Sequence, residues 1–217
     1  MEFNFDRIEK IVKKGTTTVG IVCKDGVVLA ADRQATLGTT IASKRTIKIF
    51  PIDDHLAMTT SGIAGDAERL ARIMRSEAKL YKTERGYPMS VRAAGTLLAN
   101  VLNSYRLYPF FTLLVLGGID HRGPRIYSLD PLGSKGAEEE EYYATGSGSA
   151  IAYGVLEEGY RKDLTVEEGV KLAIRALNSA KKRDIYTGGV ETGIDVAIVT
   201  EKGFERLSEE KIKELAA

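Results

Sequence analysis

Residues 16–33 read TTTVGIVCKDGVVLAADR. Two apolar, β-branched runs, Thr16–Cys23 and Val27–Asp32, flank Lys24-Asp25-Gly26, a combination that predicts two extended strands joined by a tight hairpin. The next segments repeat the pattern. TIKIFPID (46–53) and HLAMTTSG (55–62) form a second pair punctuated by Pro51 and Asp53-Asp54. Strand alternation puts Thr46 and Lys48 on one face and Ile47 and Ile49 on the other.

The period then changes. From Asp66 to Tyr81 the apolar residues Ala67, Leu70, Ala71, Met74, Ala78 and Tyr81 recur at helical spacing, and Ser90–Tyr105 does the same with Val91, Ala94, Leu98 and Val101. Strands return in FFTLLVLGGID, RIYSLD and EEYYATG. Helices are predicted over Ala150–Tyr160 and Thr165–Arg183, the latter opened by a Thr165-x-x-Glu168 capping box. GIDVAIVT is a last central strand, and SEEKIKELAA a short charged helix. Strand runs alternating with helix pairs suit an α+β domain of two sheets, each covered by helices. No Pro/Gly/Ser-rich linker and no repeat divides the chain, so one domain is expected.

Composition narrows the chemistry. In 217 residues, with a net charge of +1, no basic footprint points to nucleic acid. The longest apolar run, around Leu113–Leu116, is broken by Gly117-Gly118, so neither a membrane span nor a secretory signal is read. The single cysteine, Cys23, fits a reducing, cytoplasmic compartment. The two histidines, His55 and His121, lie in turn-like contexts, which leaves little for a zinc site or a Ser-His-Asp triad.

The Gly15-Thr16 junction offers another base. Cut there, Thr16 would carry a free α-amine beside its own hydroxyl, and that amine, with a reference pKa of about 7.7–8.0, can take the hydroxyl proton. The β-methyl restricts χ1 and keeps the oxygen aimed, and glycine leaves room for approach to the carbonyl. The competing reading is ordinary: threonines start strands, Asp32 is a turn residue, and Lys48 is a solvated edge charge.

Together, KGTTTVGI, GVVLAADR, TTSGIAGDAERL, YSLDPLG, YYATGSGSAIAYGVLEEGY and KKRDIYTGG resemble the β-type subunits of archaeal proteasomes, in order, over residues 14 to about 200. That resemblance implies the four-layer αββα sandwich of N-terminal-nucleophile hydrolases, with two antiparallel sheets between helix layers. It implies a propeptide, residues 1–15, shed by self-cleavage after Gly15, and a single catalytic domain, 16–217. The implied activity is that of a threonine endopeptidase acting on unfolded polypeptides without metal or cofactor.

By the same resemblance Thr16 is the nucleophile, and Asp32 and Lys48 flank it. The Gly62 N–H serves the oxyanion, and Ser147, Asp184 and Thr187 support the amine. Ala35, Thr46 and Thr60 line the pocket beside the nucleophile, while the backbones of Thr36 and Ala64 pair with extended substrate. Thr187 stands where serine is common, and Gln34 where the family often has arginine. The glycines of TGSGS could be read as a phosphate cradle, but no P-loop or dinucleotide fingerprint accompanies them.

Implied partners are heptameric β rings, of one or two β subunits, stacked between heptameric α rings, with an ATP-dependent unfoldase as cap. Three alternatives stand beside this reading: a non-catalytic or weakly active β subunit serving assembly of a mixed ring, the bacterial ATP-dependent relative, and an unrelated N-terminal-nucleophile amidase.

Overall fold

The computed structural model describes residues 15–38, 40–137 and 140–216; the expected propeptide, Gly15 excepted, lies outside them. The leading hairpin forms as read. β1 (Thr17–Cys23) and β2 (Gly26–Asp32) pair antiparallel from Thr18↔Ala31 to Cys23↔Gly26, with Lys24-Asp25 as a two-residue turn. β1 also pairs with β9 (Tyr142–Gly146), and β2 with β10 (Ile194–Thr200). With β11 (Gly203–Arg206) they make a five-stranded sheet of order β11-β10-β2-β1-β9.

A second sheet has the order β5-β6-β7-β8, from Ile49–Asp53, Leu56–Gly62, Thr112–Asp120 and Gly123–Leu129. Every strand pairing in both sheets is antiparallel.

The run Val27-Val28-Leu29-Ala30-Ala31 is apolar throughout because β2 is buried on both faces. Val27, Leu29 and Ala31 turn toward the second sheet and meet Ala57, Val115 and Ile126. Val28 and Ala30 turn outward beneath α3 (Ser149–Gly159) and α4 (Val166–Lys181), among Ala173, Ile174 and Leu177. On the opposite side α1 (Ala64–Arg85) and α2 (Val91–Ser104) lay Leu70, Met74 and Leu98 against Leu56, Met58, Leu114 and Leu116.

Four layers, helices–sheet–sheet–helices, follow, as expected. Each fully buried leucine or methionine contributes about 1.5–3 kcal/mol, so the three apolar layers dominate the fold's stability. α5 (Glu209–Ala216) adds Ile212 to the α3/α4 layer. Among the described residues no helix is long and apolar enough to cross a membrane.

The helix ends follow local chemistry. Thr165 and Glu168 make the reciprocal capping box at the start of α4. Thr165→Ala is expected to lower the unfolding free energy by about 1 kcal/mol, read as a lower denaturant midpoint with an unchanged slope. α1 runs past Tyr81 to Arg85 and stops at Gly86, whose φ of 79° is left-handed.

Two small elements escape the pattern reading. β3 (Ala35–Leu37) and β4 (Thr40–Ser43) form a separate hairpin, and β11 closes the edge of the first sheet. One local expectation is corrected. Thr46, Ile47 and Lys48 precede β5 rather than belonging to it, so strict alternation does not hold there. Ile49 is buried between the sheets while Ile47 is half exposed.

Candidate active site

The three threonines that open β1 go to three different places. Thr16 lines a cleft at the open end of the sandwich. Thr17 turns toward the α3/α4 side, where its hydroxyl meets that of Thr187 at 2.6 Å. Thr18 turns between the sheets, where its hydroxyl contacts Thr145 (2.7 Å) and accepts from Thr59 of the second sheet (3.0 Å). Ser61 extends this buried hydroxyl group through Thr145. Hydroxyls buried in an otherwise apolar layer need partners, and here they supply one another's.

Asp32, at the end of β2, is completely buried and accepts four hydrogen bonds. The Lys48 ammonium (2.7 Å) and the Thr17 N–H (2.9 Å) donate to Oδ1; the Gln34 N–H (3.0 Å) and the Gly188 N–H (2.9 Å) donate to Oδ2. Burial pushes the carboxyl up from its ordinary value, and the Lys48 charge, its hydrogen bond and the N–H donors pull it back.

Burial lowers Lys48 in turn, against the attraction of Asp32 and Asp184. All three ammonium protons have acceptors: Asp32 Oδ1, the Gln34 carbonyl (2.6 Å) and the Gly15 carbonyl (3.3 Å). With four donors on one partner and three acceptors on the other, the pair is held charged.

The Gly15 carbonyl is where the groups converge. The Thr16 hydroxyl also donates to this oxygen, so the Thr16 side chain and the Lys48 ammonium both bear on the peptide that joins Gly15 to Thr16. Gly15 has φ 96°, a left-handed conformation natural only to glycine, and a Cβ there would come within 2.8 Å of Thr36 Oγ1. On the other flank Ser147 donates to Asp184 Oδ2 at 2.6 Å and lies 3.3 Å from the Thr16 carbonyl, while the Thr187 hydroxyl donates to the same Asp184 oxygen. Thr187 therefore accepts from Thr17, and two hydroxyls converge on one carboxylate beside the Thr16 peptide.

A cavity of about 450 Å³ opens over Thr16. Its lining includes Ala35, Thr36, Thr46, Thr60 and Ala64, together with Gly62 and Lys48. All the substrate-contact positions expected from the sequence are thus gathered around one space. Gly62, at the end of β6, has φ 124°, and a Cβ on it would sit 2.2 Å from the Phe111 carbonyl.

Several contributors carry no residue-type signature: the peptide groups of Gln34 and Gly188, which bond the Lys48–Asp32 pair, and Leu37, Ile47, Phe50, Ile63 and Ala67, which with Gln34 and Gly38 complete the cavity wall. Leu37 is 79% exposed, an apolar side chain at the rim.

The family profile described as "Proteasome subunit" matches residues 12–199. Relatives named proteasome subunit beta resemble the chain along nearly its whole length. That of Ferroglobus placidus is 52% identical over 202 residues, 93% of this chain and 94% of its own. That of Methanosarcina barkeri is 51% identical over 204 residues (94% and 95%), and that of Archaeoglobus fulgidus 50% over 210 (97% of each). On these matches, over a four-layer αββα architecture, the chain belongs to the proteasome subunit family as a β-type subunit.

Proposed function

We propose that this subunit is a threonine endopeptidase of a proteasome core particle, with Thr16 Oγ1 as nucleophile once the Gly15–Thr16 bond has been cut. The observation that carries the reading is the convergence of the Thr16 hydroxyl and the Lys48 ammonium on the Gly15 carbonyl, at the floor of the substrate-sized cavity.

In the uncut chain Thr16 Oγ1 attacks the Gly15 carbonyl carbon. The C–N bond breaks as the hydroxyl proton passes to the Thr16 nitrogen, which becomes the free amine. The acyl group is left on the hydroxyl oxygen as an ester, and water hydrolyses it, releasing residues 1–15 and restoring the hydroxyl. The freed α-amine then serves as base: it takes the Thr16 hydroxyl proton as the oxygen attacks a substrate carbonyl. An ester acyl-enzyme forms, the amine returns the proton to the leaving nitrogen, and water completes the cycle. Lys48, held by Asp32, lowers the proton affinity of the hydroxyl through its charge. The Gly62 N–H is the donor for the oxyanion, and such a donor is worth about 3–4 kcal/mol. Asp184, Ser147 and Thr187 hold the amine. An extended substrate lies along Ala35–Leu37 and Gly62–Ala64 as an added strand.

Assembly in heptameric rings between α rings would enclose the cavity, and an unfoldase would deliver polypeptide. The single cysteine, Cys23, is buried and free, which is in keeping with residence in a reducing cytoplasm. A purely structural subunit has no use for a desolvated Lys48–Asp32 pair beside an intact Gly-Thr junction, and that favours the catalytic reading.

The test is the intact mass of the chain after assembly with α subunits, alongside hydrolysis of a fluorogenic peptide. The expected polypeptide begins at Thr16. Particles that keep Met1 and still hydrolyse the peptide overturn the proposal.

A further inference from the structure

Gln34 is almost completely buried and bonds both members of the Lys48–Asp32 pair and the loop after Asp184. Its N–H donates to Asp32 Oδ2 (3.0 Å), its carbonyl accepts from the Lys48 ammonium (2.6 Å), and its side-chain Nε2 donates to the Ile185 carbonyl (3.0 Å). Ile185 follows Asp184 and lies in the loop that ends at Thr187-Gly188.

The Ile185 side chain is 77% exposed, so the loop gains no apolar anchor from it. Its tether at that point is the carbonyl held by Gln34. The fit is mutual: Gly188 has no Cβ, and one added there would lie 2.6 Å from Gln34 Oε1.

Accordingly we propose that Gln34 is a positioning residue, which fixes the loop bearing Asp184 and Thr187 relative to the Lys48–Asp32 pair. The proposal rests on the threonine-peptidase reading above. One side of the nucleophile is charge, supplied by Lys48; the other is the hydroxyl–carboxylate relay of Ser147, Thr187 and Asp184. These come from distant parts of the chain, and the relay holds the Thr16 nitrogen only if its loop keeps its height against β2. Gln34 joins them with one side-chain bond and two main-chain bonds. Gln34 also lines the cavity, but its side-chain amide is engaged with the Ile185 carbonyl, so its loss acts on the geometry of the bound complex more than on substrate binding.

The test uses the full-length chain assembled with α subunits. Gln34→Met keeps the volume and removes the donor; Gln34→Arg restores N–H donors at the same reach. Gln34→Met is expected to lower kcat by about tenfold or more, since small misplacements of catalytic groups are costly, with KM changed by less than about twofold. Gln34→Arg is expected to regain most of that loss.

A Gln34→Met particle with wild-type kcat, or a loss that Gln34→Arg does not reverse, overturns the proposal. Should Gln34→Met fail to assemble, Gln34→Glu, of the same shape without the N–H, is read by the same criteria. Thr16→Ala keeps the two claims apart. If it still hydrolyses peptide, the underlying function is wrong; if it is inert while Gln34→Met is unaffected, only the positioning role is.

Discussion

Thr16→Ala is expected to assemble, to retain residues 1–15, and to hydrolyse fluorogenic peptides about a thousandfold more slowly or worse, since losing a nucleophile leaves only the contributions of binding and oxyanion stabilisation. Both losses come from one atom. The Thr16 hydroxyl is the group against the Gly15 carbonyl in the uncut chain, and it faces the cavity in which substrate would lie. The change should scarcely affect stability. Thr17 and Thr18 keep the strand pairings, and alanine retains the Cβ. Intact mass and steady-state rates decide the matter. Processing without activity would remove the threonine from self-cleavage alone, activity without processing would remove it from hydrolysis alone, and both together would remove it from both.

Lys48→Met is expected to lower peptide hydrolysis by about 10²–10⁴-fold, the range of a lost acid–base or charge-stabilising group. It should also destabilise the chain by about 3–5 kcal/mol, because one member of a buried ion pair is left alone. The sign of its pH dependence follows from Asp32. Burial already raises that carboxyl, and Lys48 is the principal opposing influence. Without Lys48 the folded-state value rises further above the unfolded one.

A raised group contributes stability that is complete below its unfolded value and lost as pH climbs through the folded value. The deficit of Lys48→Met relative to wild type should therefore be smallest in acid and widen toward neutrality. Asp32→Asn added to Lys48→Met should take back part of the loss, since no buried charge remains. Denaturant midpoints of the two variants and wild type at acidic and neutral pH are the measurement. A deficit that is flat with pH would mean that Asp32 is not the stranded group.

The sandwich was legible wherever burial has a period. β2 reads as an unbroken apolar run because helices cover one face and a sheet the other, and α1, α2 and α4 show their buried stripes directly. β3–β4 escaped because a hairpin that stands at the rim of the cleft, with Leu37 in solvent, buries no face and so leaves no alternation to detect. β11 is four residues long and half exposed. At Thr46–Lys48 alternation misled: the backbone leaves the sheet there to bring Lys48 beside Asp32, and the buried ion pair overrides the pleat.

The site was legible in a different way. No periodicity links Thr16 to Asp184; those residues came from ordered motifs shared with a family, and the fold then brought them together. What stayed hidden were main-chain groups. The N–H of Gly188 and both peptide groups of Gln34 have no residue-type mark, because any non-proline residue offers the same atoms.

Chain ends ordinarily fray. Here the strand that would begin at a new terminus is interior to its sheet, bonded to β2 along one side and to β9 along the other, with Thr17↔Gly146 and Thr18↔Ala31 as its first rungs. The proposed cut just ahead of it would free a nitrogen without granting it latitude. Disorder that would otherwise have to be suppressed at every turnover would be absent from the outset.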